Sequence, residues 1–176
     1  MSVQLSPIIA GVMNWGVWDK NLNTNEFTHL INLFIENGIT TFDHADIYGG
    51  YTTEASFGKA LSESKIDRKK IQLITKCGIQ YVSENRPNNS IKHYEYSKDY
   101  IIWSAENSLK NLQTDYLDVF LLHRPSPLMQ ADEIAEAVSK LKADGKILSF
   151  GVSNFTSSQT ELLRQKTEIS FNQVQF

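Results

Sequence analysis

The sequence predicts an α/β fold of the (β/α)8 TIM-barrel type that breaks off after about six strands and five helices. Three observations predict it. Short apolar runs alternate with stretches of helical period, and such alternation gives parallel strands joined by right-handed crossovers. The first turn, Gly11-Val12-Met13-Asn14-Trp15-Gly16, contains no G-x-G-x-x-G, so a dinucleotide-binding open sheet would lack its phosphate cradle. Polar residues with reactive side chains follow strands two, three, four and five, and a barrel gathers all of those ends at one mouth. An open doubly wound sheet would spread them along an edge.

Each element has a local reason. Ile8-Ile9-Ala10-Gly11-Val12-Met13 is a continuous apolar run, the pattern of a strand buried on both faces. Thr24 to Phe27 offers an N-cap and first turn, and Phe27, Leu30, Ile31, Phe34 and Ile35 recur at helical spacing. Asn37-Gly38 stops that helix with a residue that tolerates the left-handed conformation. Ile39 to Phe42 is the second strand, Thr53 to Leu61 a short helix, and Ile71 to Lys76 the third strand. Gly78 to Tyr96 is polar and aromatic without a period, and reads as a long functional or mobile loop. Ser97 and Lys98-Asp99 open a helix through Leu112, with Ile101, Ala105, Leu109 and Leu112 on one stripe. Leu117 to His123 is the fourth strand, Ala131 to Ala143 the fourth helix and Ile147 to Val152 the fifth strand. Thr156 caps a fifth helix carrying Leu162 and Leu163, and Phe171 to Phe176 begins a sixth strand.

Composition narrows the classes. A chain of 176 residues can bury one sizeable core. Its net charge of -3, without any run of Lys or Arg, argues against nucleic acid. No apolar stretch approaches the roughly 18 residues of a membrane span, and Met1 to Leu5 has neither a basic start nor an apolar signal core. The lone Cys77 excludes an intramolecular disulfide and fits a reducing compartment, so a soluble cytoplasmic protein is expected. His29, His44, His93 and His123 lack metal-ligand spacing, and no metal is expected.

Chemistry concentrates in Thr41-Phe42-Asp43-His44-Ala45-Asp46-Ile47-Tyr48-Gly49, where an acid and a phenol follow an apolar strand into a glycine turn. Later strand ends deliver Lys76, His123 and the pair Ser153-Asn154. Brought together, they would set a proton donor, Tyr48, beside a cation and a neutral imidazole: a carbonyl-reducing site. A free phenol titrates at about 10. Lys76 is expected to lower that value by stabilising phenolate, with Asp43 keeping Lys76 charged. Each residue alone has an ordinary reading. Asp43 reads as a helix cap, Tyr48 as a lid, Lys76 as a snorkelling surface residue and His123 as a half-buried histidine. Ser153-Asn154 reads as a cap before Thr156. Their shared location at strand ends favours the site. Met13, Asn14 and Trp15 are expected to line the mouth after the first strand, with Trp15 flanking substrate.

Asp-His-Ala-Asp-Ile-Tyr-Gly at 43–49, Leu-Leu-His-Arg-Pro at 121–125 and Gly-Val-Ser-Asn-Phe at 151–155 occur in order, each at a strand end. The set resembles the aldo-keto reductase family, in particular its bacterial oxidoreductase branch, from about Ile8 to the last residue. The resemblance implies one incomplete reductase barrel over 1–176, with Asp43, Tyr48, Lys76 and His123 as the catalytic tetrad. It implies NADPH-dependent reduction of aldehydes and ketones, small-molecule carbonyl substrates, by hydride transfer with Tyr48 as proton donor and His123 orienting the substrate. It also implies that Ser153, Asn154 and Gln173 bind the nicotinamide carboxamide, with Met13 beside the cofactor.

A complete barrel needs roughly 250 residues, and this chain ends inside its expected sixth strand. The expectation is the N-terminal part of a reductase, without the region that in the family grips the adenosine phosphate. The first and sixth strands then become open edges, with Val174 and Phe176 on an apolar one. Self-association or a C-terminal partner is expected there. The alternatives are a catalytically inactive remnant or nicotinamide-sensing subunit, and the N-terminal half of a split reductase.

Overall fold

A computed structural model describes residues 3–175. In chain order it contains β1 (Ile9–Gly11), α1 (Thr24–Glu36), β2 (Thr41–Asp43), the single turn α2 (Tyr48–Tyr51), α3 (Thr53–Ser64) and a 3-10 turn at Arg68–Lys70. It continues through β3 (Gln72–Cys77), β4 (Ile79–Gln80), β5 (His93–Tyr94), α4 (Lys98–Leu112), β6 (Leu117–Leu122), α5 (Ala131–Ala143), β7 (Ile147–Ser153), α6 (Ser157–Arg164) and β8 (Phe171–Gln173).

Six strands form one parallel sheet in the order β1-β2-β3-β6-β7-β8. Each new strand adds on the same side as the last. A doubly wound sheet reverses its order at a switch point, so this is the winding of a barrel. β1 and β8 each have one neighbour, which leaves a curled half-barrel with two open edges among the described residues.

The sheet separates two apolar layers. Phe27, Ile31, Phe42, Phe57, Phe120 and Phe150 are buried between the strands and the surrounding helices. Ile74, Val119 and Leu121 form a smaller cluster on the barrel side, joined by Val3, Leu5 and Phe171. Side chains alternate along a strand, so Lys76 shares the face of Ile74, and His123 that of Val119 and Leu121. Register then stacks the inner face in layers: Leu121, Gly151 and Phe171 lie level, and Ser153 and Gln173 lie level one layer above. At the opposite rim Arg68 pairs with Asp118 at 2.6 Å, and the same Asp118 oxygen accepts from the backbone of Leu73 at 2.9 Å, tying β3 to β6.

Several elements differ from expectation. The apolar run at Ile8-Ile9 is not buried on both faces; Ile8 is 65% and Ile9 39% exposed, because β1 is an edge strand. Asn23 caps α1, in a capping box with Glu26. The supposed loop from Gly78 to Tyr96 contains an antiparallel hairpin, β4 with β5, whose two-residue strands are too short to print a period. Leu163 is buried on α6 while Leu162 is half exposed. β8 spans Phe171–Gln173, and Phe176 lies outside the described residues.

Candidate active site

Parallel winding brings the C-terminal ends of β2, β3, β6, β7 and β8 to one rim, and a cleft of about 410 Å³ opens there. That is room for a small molecule, within the usual range for ligand sites. Asp43 ends β2, and Lys76 lies one residue short of the end of β3. Lys76 Nζ donates to Asp43 Oδ1 and Oδ2 at 2.7 and 2.8 Å, to the His44 carbonyl at 2.7 Å and to Tyr48 Oη at 3.3 Å. Lys76 is 2% exposed, so it does not snorkel. Burial lowers its pKa from the ordinary lysine value, and the bidentate carboxylate works against that shift.

Tyr48 is set by a sharp reversal. Gly49, Gly50 and Tyr51 all take left-handed φ angles, of 59°, 67° and 72°, which glycine adopts at no steric cost. The Tyr48 ring stands edge-on to His123, 6.2 Å between centroids. Burial first, and then the negative charge of Asp43, raise the Tyr48 pKa above the ordinary phenol value. Here the expectation that Lys76 would lower it fails: Asp43 already neutralises the ammonium, and desolvation dominates. His123 follows the expectation of neutrality. Burial, then the charges of Lys76 and Arg124, lower its pKa to about 3, and its ring makes no hydrogen bond among the described residues.

Ser153 Oγ donates to the Gln173 carbonyl at 3.1 Å and accepts from Asn154 Nδ2 at 2.8 Å. Neither caps α6; Thr156 does, in a capping box with Gln159. Gln173 lines the cleft and its Oε1 is buried without a partner. Met13 lines the cleft as well. Trp15 does not, and its expected place beside substrate is corrected. It is 6% exposed and packs on Phe27, Phe34, Phe42 and Phe57, with centroids 5.6 to 6.3 Å away. Trp18 is the cleft tryptophan, 6.1 Å from the ring of Tyr48. Two apolar neighbours in sequence, Gly16 and Val17, gave no sign of which indole would turn inward. Arg124 also lines the cleft. Its signal was in plain view, a charged residue directly after His123 at a strand end.

Beyond the end of β2 the chain turns His44 and Asp46 to the helix side, away from Asp43. Asp46 accepts from Tyr100 at 3.3 Å and Ser104 at 3.4 Å, both on α4, and its Oδ1 has no partner. Burial, reinforced by the nearby Glu54 carboxylate, raises its pKa to about 8. His44 packs against the edge of Phe57, and burial and Lys76 lower its pKa to about 3. No group of three or more metal-ligating side chains occurs among the described residues, and none of their helices is long and apolar enough to cross a membrane.

The family model for the Aldo/keto reductase family matches residues 7–176. The "Uncharacterized oxidoreductase YcsN" of Bacillus subtilis (strain 168) is 49% identical over 161 residues, covering 92% of this chain and 53% of that protein. The "Oxidoreductase YdhF" of Escherichia coli (strain K12) is 45% identical over 163 residues, covering 92% of this chain and 54% of that one. Among solved structures, the glycerol dehydrogenase AKR11B4 from Gluconobacter oxydans superposes with a TM-score of 0.83 at 29% identity, covering 97% of this chain and 51% of its own. The chain thus spans about half the length of the relatives it matches.

Proposed function

The chain belongs to the aldo/keto reductase family, and from that premise we propose that it serves to reduce aldehydes and ketones to alcohols with NADPH, Tyr48 being the proton donor. The observation that carries this reading is the bonding of the Tyr48 hydroxyl. Its oxygen accepts from Lys76 at 3.3 Å, and among the described residues its own hydrogen goes to no acceptor. A phenol held from behind by an ammonium has its O–H left to offer to the cleft.

Ser153, Asn154 and Gln173 fit the carboxamide of a nicotinamide, since the buried and unpartnered Gln173 Oε1 matches an amide N–H. When bound, the reduced nicotinamide supplies a hydride to the carbonyl carbon. The chain supplies the rest. Neutral His123 hydrogen-bonds the carbonyl oxygen and orients it. As negative charge gathers on that oxygen, Tyr48 gives up its proton to it. The raised pKa keeps the proton on the phenol until the alkoxide, a far stronger base, takes it. The hydrogen bond from Lys76 then strengthens, because its acceptor has become an anion. Asp43 holds the ammonium in position.

Tyr48→Phe tests the reading. NADPH-dependent reduction of a small aldehyde should fall by about 10²- to 10⁴-fold while cofactor affinity, followed by NADPH fluorescence, stays the same. Undiminished reduction by the variant would remove Tyr48 from the role. The open edges at β1 and β8 favour a second reading, in which a C-terminal polypeptide or a second copy completes the barrel before turnover. Activity that appears only on mixing with such a partner would support it.

A further inference from the structure

Four arginines occur in the chain, and three are engaged. Arg68 pairs with Asp118, and Arg164 lies 3.9 Å from Glu161. Arg86 is stacked between the rings of Tyr51 and Trp103, at 4.7 and 4.6 Å. The guanidinium of Arg124 has neither a carboxylate nor an aromatic partner nor a hydrogen bond among the described residues, yet the residue lines the cleft and its charge acts on both Tyr48 and His123. Its neighbours there do not cancel it. Asp43 is committed to Lys76, and His123 is neutral, so two cations and one anion leave the cleft with a surplus of one positive charge.

A surface arginine is ordinarily just solvated, and Arg124 is exposed. Its backbone, however, is pinned. Tyr96, buried at 5%, accepts a hydrogen bond from Arg124 N at 3.2 Å and donates one back to the Arg124 carbonyl. The Tyr96 ring is seated over Gly78, whose φ is 110° and where a Cβ would collide with that ring. The end of the β4–β5 hairpin therefore fixes where residue 124 stands on the rim, next to the carbonyl-orienting histidine.

We infer that the preferred substrates are carbonyl compounds bearing a second, anionic group, a carboxylate or phosphate, and that Arg124 receives that group. A guanidinium offers paired N–H donors in a fork that matches either anion. The inference rests on the reductase reading for the carbonyl end of the ligand. An anionic part of the cofactor is the other source of the same chemistry, and the test separates the two.

The probes are 4-carboxybenzaldehyde and 4-methylbenzaldehyde, matched in shape and different in charge. Binding to the whole chain is followed by tryptophan fluorescence, Trp18 being in the cleft, and reduction by NADPH oxidation. The unsubstituted chain should bind the carboxylate about tenfold more tightly or better. Arg124→Gln should erase that ratio, Arg124→Lys should keep part of it, and added salt should shrink it. NADPH affinity should not follow the ratio. The inference is overturned if the unsubstituted chain binds both aldehydes equally or neither, if Arg124→Gln retains the ratio, or if the variant loses NADPH affinity instead. A preference for the carboxylate without any reduction, by the chain alone or mixed with a partner that completes the barrel, would sink the reductase reading alone, and equal reduction of both aldehydes would sink the inference alone.

Discussion

Asp43 and Lys76 form a buried ion pair with every hydrogen-bonding group of the ammonium accounted for, so removing one partner should cost far more than a surface pair would. Asp43→Asn is expected to lower stability by about 3–5 kcal/mol at neutral pH, read from urea unfolding, because it strands a buried charge. A loss under ~1 kcal/mol would mean that Lys76 sheds its proton in the folded chain. Asp46 obeys the opposite logic. Its folded pKa of about 8 lies above the ordinary carboxylate value of 3.8, so between those pH values the folded state holds a proton that the unfolded chain has released. Stability contributed there is fully present below about pH 4 and is lost as pH rises to about 8. Asp46→Asn, which cannot ionise, should therefore gain on the parent chain progressively over that window, by a few kcal/mol at its top. His123 carries the reverse sign. With a folded value of about 3 against 6.5, its contribution is full above pH 6.5 and is lost as pH falls toward 3. The pH profile of kcat/KM should accordingly show no acid limb near 6.5 from this residue.

Elements were legible wherever a period ran long enough. Ile101, Ala105, Leu109 and Leu112 mark α4, and all four are buried along the helix from Lys98 to Leu112. The hairpin β4–β5 escaped notice because two residues per strand cannot alternate visibly. It is nonetheless the piece that holds Tyr96 against Arg124. At the end of β7 two overlapping readings, cap or site, competed for Ser153 and Asn154, and the capping box of Thr156 with Gln159 separates them. Thr156→Ala should lower stability by about 1 kcal/mol through α6, seen as a shifted urea midpoint at unchanged m-value. Ser153→Ala should leave the helix intact and weaken NADPH binding instead. If Ser153→Ala destabilised α6 as much as Thr156→Ala does, the assignment of the cap would be wrong.

For the molecule as a whole, strand order decides the behaviour in solution. β1 and β8 present unpaired backbone edges among the described residues, and Val174, 59% exposed, follows β8 at the cleft. The 176-residue chain on its own should associate through these edges at about 100 µM, giving masses above the monomer by light scattering after size exclusion. A strictly monomeric chain that unfolds in one sharp transition would overturn this. Bringing the five strand ends to one rim is likewise a property of the whole sheet, since Asp43 and Tyr48, Lys76, His123 and Ser153 reach the cleft from separate strand ends.

What the sequence determined by itself is the succession of the six sheet strands and the longer helices and the kind of residue at each strand end, because side-chain period and caps act over a few neighbours. The parallel barrel winding, and Asp43, Tyr48, Lys76 and His123 as a group worth assembling, follow from that local information. Tertiary structure alone decided three further matters: that Trp18 and not Trp15 faces the cleft, that Asp46 turns to the helix side while Asp43 meets Lys76, and that Tyr48 is raised rather than lowered in pKa. Each depends on burial and on charges brought close from distant parts of the chain. Desolvation and pairing are set by what surrounds a group in space, and the spacing of residues along the chain carries no measure of either.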